Sequence, residues 1–321
     1  MTDSSRYYMW KGLNCAYTVH GSSNFLDAEG VSSQALAFKA RERADRTSAI
    51  VTIHPIGVGL SKVFWQPFIH TWLEQNPNSQ IYNPDLIGCG DGDLPSVAYY
   101  PIDWAKQLKY FIDNIVKQPV VLIVQGASFP IAIKLIKITS NTNSIKGLVL
   151  STPPAWRTMT EAANPLTQKL LWNLLFDSPV GLGQLFYLYA RRRQFLESFS
   201  KRQLFADAHQ VDLQWLDSLI EGAKDLQSRY AVFSFLAGFW REDYTSDIAS
   251  IELPTLIVLG KQTSSISRES LTETLPERAN SYVKHLTKAR ISNIEGRNVL
   301  PVESTSSFVK ALTDHWQYLT D

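Results

Sequence analysis

Residues 119–124 read Pro-Val-Val-Leu-Ile-Val, the most continuous strand-length apolar run in the chain. A strand that is apolar at successive positions presents hydrophobic side chains to both faces of its sheet. Both faces must then be covered, which is the condition of a parallel sheet with helices on either side. The rest of the chain repeats the demand. A compact apolar run at 49–53 and strand-like segments at 80–82, 147–150, 255–259 and around 289–291 alternate with stretches whose apolar residues recur at helical spacing. Between 101 and 116 the apolar positions are Ile102, Trp104, Ala105, Leu108, Phe111, Ile112 and Ile115, with Pro101 suited to a first helical turn. Further helices are expected at 63–74, 131–138 and 304–318. Residues 7–19 hold two short aromatic and β-branched runs around Lys11-Gly12, which predicts a β-hairpin. The polar segment 20–47, with its charged stretch Lys39 to Arg46, reads as an exposed loop with a helical turn. Alternation of this kind predicts an α/β fold.

From 153 to 247 the alternation lapses, and leucines and aromatics such as Trp156, Leu170, Phe186 and Trp240 crowd a mostly helical stretch. A three-part organisation follows: 1–152 and 248–321 build the sheet and its flanking helices, and 153–247 is a helical lid inserted over the sheet's C-terminal edge. With 321 residues, 45% hydrophobic and 19% charged, the chain can bury a large core. A net charge of +1 with interleaved signs supplies no field for nucleic acid and leaves at most a peripheral membrane contact. Arg191-Arg192-Arg193 and Lys201-Arg202 lie beside the apolar stretch and can meet anionic headgroups. Glu197 and Asp207 nearby favour a solvated helix face instead. Two cysteines, Cys15 and Cys89, are too few for a disulfide framework or a structural zinc site and fit a reducing interior. With no leader-like start and no apolar run long enough to span a bilayer, a cytoplasmic location is expected.

Three segments carry chemistry. Ile123-Val124-Gln125-Gly126-Ala127-Ser128-Phe129-Pro130 places a serine between a buried strand and a helix, with glycine two residues before it. His54-Pro55-Ile56-Gly57 follows an earlier strand, and Asn83-Pro84-Asp85-Leu86-Ile87-Gly88-Cys89-Gly90, with Leu94-Pro95 after it, follows the next. In order and spacing these segments resemble the α/β-hydrolase superfamily. Their wording is also similar to α/β-hydrolase-like proteins common in cyanobacteria. The resemblance implies a mostly parallel eight-stranded sheet flanked by helices, with a helical lid. It also implies Ser128 as the nucleophile in a tight strand-to-helix turn, and the Ile56 and Phe129 amides as oxyanion-hole donors. A doubly wound nucleotide-binding fold is the competing α/β architecture, but neither G-x-G-x-x-G nor G-x-x-x-x-G-K-[ST] occurs.

The implied triad is broken. Its acid belongs in the loop after 255–259, which reads Gly260-Lys261-Gln262-Thr263-Ser264-Ser265, with Thr263 at the acid position and no carboxylate before Glu269. Its histidine belongs after the last strand, where the chain reads Ile294-Glu295-Gly296-Arg297-Asn298 and Arg297 fills the place. A guanidinium stays protonated at physiological pH and cannot take the serine proton. Of the six histidines only His54 and His209 are candidates for a substitute base. Ser128 therefore has two readings, a working nucleophile or a small residue in a tight turn. Arg297 likewise reads as a space-filling side chain or as a planar fork for a carboxylate or phosphate. Pro55 and Pro130 each remove one amide donor, and Pro130 is expected to push Phe129 away from helical angles. Asp85, Asp91 and Asp93 cluster in one loop, but without further oxygen ligands they read as loop and cap residues, so no metal site is expected.

The sequence favours a protein that is non-hydrolytic or very weakly active and binds a hydrophobic small molecule, a lipid, or a protein partner, with His54, Arg297, Trp156 and Trp240 at the site and no cofactor. The alternative is a serine hydrolase acting on an apolar ester or lipid through Ser128. Cofactor-free lyase or dioxygenase chemistry ranks third.

Overall fold

The computed structural model describes residues 4–21, 48–176, 181–264 and 273–321. Most of the 20–47 loop expectation, and Glu269, lie outside these described residues.

The chain opens on a hairpin of β1 (Arg6–Trp10) and β2 (Leu13–Gly21), paired antiparallel. Its two turn residues, Lys11 and Gly12, both have positive φ, 50° and 78°, the twist that joins tightly linked strands. Strands β3 (Ala49–Ile53), β4 (Gln80–Pro84), β5 (Val120–Gln125), β6 (Ile145–Ser151), β7 (Thr255–Gly260) and β8 (Ala289–Ile294) complete one sheet. The order is β1-β2-β4-β3-β5-β6-β7-β8, and every pair from β4 to β8 is parallel while β2 meets β4 antiparallel.

Helices α1 (Gln66–Gln75), α2 (Pro101–Phe111) and α3 (Phe129–Thr139) link the strands as far as β6. Between β6 and β7 lie α4 (Trp156–Thr160), α5 (Pro165–Phe176), α6 (Leu182–Ala190), α7 (Arg193–Phe199), α8 (Leu213–Gly222), α9 (Arg229–Leu236) and α10 (Thr245–Ala249). After β7 comes α11 (Leu275–His285), and after β8 come α12 (Leu300–Glu303) and α13 (Thr305–Thr320).

The apolar run in β5 is buried as its sequence demands. Val120, Leu122 and Val124 enter one core with Trp104, Leu108 and Phe111 of α2, Ile131 of α3 and Tyr282 of α11. Val121 and Ile123 enter the opposite core, with Phe68 and Trp72 of α1 and Phe308 and Leu312 of α13. The sheet is thus covered on both faces.

Two local features differ from the sequence reading. The helix expected over 101–116 ends as α-helix at Phe111 and runs on as a π-helical turn, Ile112–Val116, closed by Lys117 at φ 56°. Helix α11 was not anticipated, because its face is short of apolar residues; Thr274 and Glu277 form a reciprocal capping box at its start, the signal that marks it.

The loop after β4 is anchored by charge. Asp85 accepts from the Lys62 backbone at 2.8 Å, from Lys62 Nζ at 2.7 Å and from the Asp91 backbone at 3.0 Å. Both partners of the Lys62–Asp85 pair are buried. Asp93 accepts from the Asn14 backbone at 2.8 Å, tying the same loop to the hairpin. Asp91 accepts from Lys62 Nζ at 2.5 Å and from Ser5 Oγ at 2.7 Å, so all three carboxylates act as loop anchors.

Candidate functional site

A cavity of about 900 Å³ opens at the carboxyl ends of the parallel strands, where ligands of open α/β sheets bind. Its floor comes from the strand ends: Pro55, Ile56 and Gly57 after β3, Gln125 to Ala127 at β5, Thr152 to Ala155 after β6, and Asn298 and Val299 after β8. Its walls and roof come from the helices between β6 and β7, through apolar side chains such as Leu171, Phe186, Phe195, Trp215, Leu219 and Trp240.

The floor holds a closed set of polar side chains. Gln125 Nε2 donates to the Asn298 carbonyl at 2.7 Å and to Thr152 Oγ1 at 3.0 Å, and Thr152 Oγ1 donates to the same carbonyl at 3.1 Å. Thr152 has φ 45°, a left-handed angle that is costly for a β-branched residue, and its amide is held by the Val258 carbonyl at 2.9 Å. Gln125 is 3% exposed, and its Oε1 is buried with no hydrogen-bond partner among the described residues. Ile56 also lines the cavity, and its amide meets no acceptor among the described residues. Arg278 reaches the same space, 3% exposed, neutralised by Glu273 at 2.8 Å; Glu273 in turn accepts from the Trp156 amide at 2.8 Å.

Ser128 lies beneath this floor and does not line it. It is 1% exposed, and its Oγ donates to the His54 carbonyl at 2.8 Å. Its backbone, φ −83° and ψ −1°, is ordinary helical geometry with none of the strain of a nucleophile turn. Phe129 is helical too, φ −55° and ψ −40°, and its amide donates to the Gly126 carbonyl, so it is spent inside the turn and does not face the cavity. Pro130 therefore does not displace Phe129 from helical angles: at the second position of α3 the proline has no partner to lose.

His54 is fully buried and both ring nitrogens are engaged. Nε2 accepts from the Leu86 amide at 3.0 Å, which fixes the proton on Nδ1, and Nδ1 donates to the Pro55 carbonyl at 2.8 Å. Burial holds its pKa below the ordinary imidazole value, outweighing the nearby Asp85 carboxylate. His54 is a structural post under the β3 loop. His209 is exposed in a short 3₁₀ turn and does not reach the cavity.

The remaining expected residues divide in the same way. Thr263 donates to the Arg297 carbonyl at 2.8 Å and stands outside the cavity, while its neighbour Ser264 lines it. Arg297 turns toward the roof, donating from Nη1 to the Arg202 carbonyl at 2.8 Å, and offers no fork to the cavity. Trp156 stacks on His285 with centroids 4.3 Å apart, outside the cavity. Trp240 does line it, stacked on Phe235 at 5.2 Å. Sequence reasoning missed Gln125, Thr152 and Asn298.

No family model matches this sequence, and no curated protein sequence does. Solved structures do match. A serine hydrolase involved in carbazole degradation, the CarC enzyme, superimposes with a TM-score of 0.69 at 15% identity, covering 98% of this chain and 99% of that one. A thermophilic esterase from Thermogutta terrifontis gives 0.67 at 12% identity, covering 99% and 100%. An enol-lactonase from Burkholderia xenovorans LB400 gives 0.67 at 13% identity, covering 98% and 100%. Together with the sheet order, these fix the architecture. The chain has the α/β-hydrolase fold.

In an α/β-hydrolase fold the nucleophile sits in the strained turn that ends the strand before the nucleophile helix. In this chain the residue in that turn with a positive φ, 54°, is Gly126, and Gly126 and Ala127 are the turn residues exposed to the cavity. The turn is thus displaced two residues toward the N-terminus of the register that the Gly-x-Ser pattern suggests. At the far side, Asn298 rather than Arg297 faces the cavity. Gly126, Asn298 and Ser264 are among the residues that these loops present to the cavity.

Proposed function

We propose that this protein binds an apolar molecule with a small polar head in the cavity and does not hydrolyse it. The observation that carries the reading is Gly126: a residue without a side chain occupies the positive-φ turn at the cavity floor, while Ser128 is buried and bonded to the His54 carbonyl. No attacking oxygen faces the cavity from that turn. The helices over the strand ends act as a lid, and their apolar lining supplies most of the binding surface. The head carries an acceptor oxygen, such as a hydroxyl or carbonyl, because Ile56 lines the cavity and its amide wants an acceptor. The cavity, about 900 Å³, is at the upper end of ligand-pocket volumes and suits a long-chain or isoprenoid alcohol.

The test is organic extraction of the purified protein followed by mass spectrometry, with a fluorophosphonate probe in parallel. The expected result is a co-purifying apolar molecule and no covalent adduct. An adduct on Ser128 that disappears in Ser128→Ala overturns the reading, as does a protein that neither carries an apolar molecule nor takes up a long-chain alcohol in a tryptophan-fluorescence titration.

A further inference from the structure

Helix α5 has no buried residue along its length. Leu166, Leu170 and Leu174 recur every four residues on one face and are 78%, 68% and 48% exposed. In α6, Leu182, Leu185 and Tyr189 repeat the pattern, all exposed. The two helices touch where Gly183 packs against the Leu175 carbonyl, a spot with no room for a Cβ. The same helices send Leu171 and Phe186 into the cavity. They are therefore apolar toward the ligand space and apolar toward solvent, a distribution that water alone does not favour.

We propose that this outer face of α5 and α6 docks on an anionic lipid bilayer. Charge selects the occupant. Residues 164–204 carry Lys169, Arg191, Arg192, Arg193, Lys201 and Arg202 against only Asp177 and Glu197, although the whole chain is nearly neutral. Arg193 is paired with Asp217 and Lys201 with Glu197. Lys169 and Arg192 are exposed and meet no carboxylate among the described residues. Arg192 lies over the exposed ring of Tyr189 at 5.8 Å, an aromatic and basic pair of the kind that settles at a headgroup layer. A two-fold contact between copies of this chain would set these cations against their own images, whereas phosphate headgroups complement them. Docking would place the cavity roof at the lipid surface, where apolar molecules are concentrated. The contact itself needs nothing in the cavity, so its test is independent of the ligand reading.

The experiment is flotation of the full chain with phosphatidylcholine vesicles, and with vesicles containing about one-third phosphatidylserine. Binding to the anionic vesicles should be at least about tenfold stronger and should fall as salt is raised. Leu170→Asp with Leu185→Asp should weaken it by about tenfold or more, with the thermal transition retained because both side chains are exposed. Lys169→Glu with Arg192→Glu should remove the preference for anionic vesicles. Equal flotation of the wild type and the leucine variant, or no flotation at all, overturns the proposal. So does a wild-type dimer in sedimentation velocity that the leucine variant converts to monomer, which would assign the face to a second copy.

Discussion

Between about pH 7.5 and about pH 5.5 the unfolded chain protonates its histidines, but the buried ring of His54 resists. The folded pKa of His54 lies below its ordinary value of 6.5, chiefly because burial penalises the charged form. Nε2 already accepts from the Leu86 amide at 3.0 Å, so a proton there would face an N–H donor. The sign follows from proton counting. Below the unfolded pKa the unfolded state binds a proton that the folded state refuses, so stability contributed by this group is present above 6.5 and is lost as pH falls. If the ring stays neutral throughout, the loss across that window reaches at most about 1.4 kcal/mol, one pKa unit's worth of differential proton binding. Urea unfolding of the wild type and of His54→Asn at several pH values isolates it: the variant should be less stable at neutral pH, and its stability should fall less on acidification. Identical pH slopes in the two proteins would refute the neutral-post assignment. A slope of opposite sign would show a protonated imidazole in the folded state, and would reopen His54 as a proton carrier for the cavity.

Two glycines with positive φ should respond differently to a side chain. At Gly126 the nearest atom to an added Cβ is the Thr152 carbonyl oxygen at 3.9 Å, so Gly126→Ser should fold and lose only about 1–2 kcal/mol of stability, the cost of left-handed backbone strain, read by urea unfolding. Its new hydroxyl should face the cavity, and pairing it with Asn298→His should bring fluorophosphonate labelling that the wild type lacks. At Gly59, φ 75°, a Cβ would lie 1.9 Å from the Leu219 carbonyl oxygen, so Gly59→Ala must part the β3 loop from α8 and should cost ~3 kcal/mol or more. Comparable losses at the two positions would show that the backbone contact is softer than its geometry implies.

The sheet was legible because β3, β5 and β7 are apolar on both faces, and burial on both sides is a demand that composition alone states. The hairpin was legible through Lys11-Gly12. The site was legible only to its segments. Gly126-Ala127-Ser128 fits a tight turn in two registers, and choosing between them requires knowing where β5 stops. Gln125, polar after an apolar run, reads as loop, yet it pairs with Ser151 and carries the strand one residue further. The turn therefore falls on Gly126, and Ser128 drops to a helix start. The same ambiguity affected Arg297 and Asn298: Gly296, at φ 121°, interrupts the period-two alternation of β8, so strand logic cannot say which neighbour faces the cavity. Trp156 and Trp240 are equivalent by composition, and only packing against α11 or against α9 separates them.

The loop after β8 fastens the roof of the cavity to the end of the sheet. Asn298 donates from its backbone to the Leu204 carbonyl at 3.0 Å and from Nδ2 to the Gln203 carbonyl at 2.8 Å, beside the Arg297 bond to Arg202. Glu303 accepts from the Arg297 amide at 2.6 Å and from the Ala206 amide at 2.8 Å. These bonds fasten residues 202–206 of the roof to the end of the sheet and satisfy carbonyls that a π-helical turn, Ser200–Leu204, leaves open. A catalytic imidazole in this loop would have to leave its side chain free to meet a nucleophile. An amide and a guanidinium, both rich in donors, hold backbone carbonyls in place instead. In this chain Arg297 and Asn298 hold the roof over the cavity.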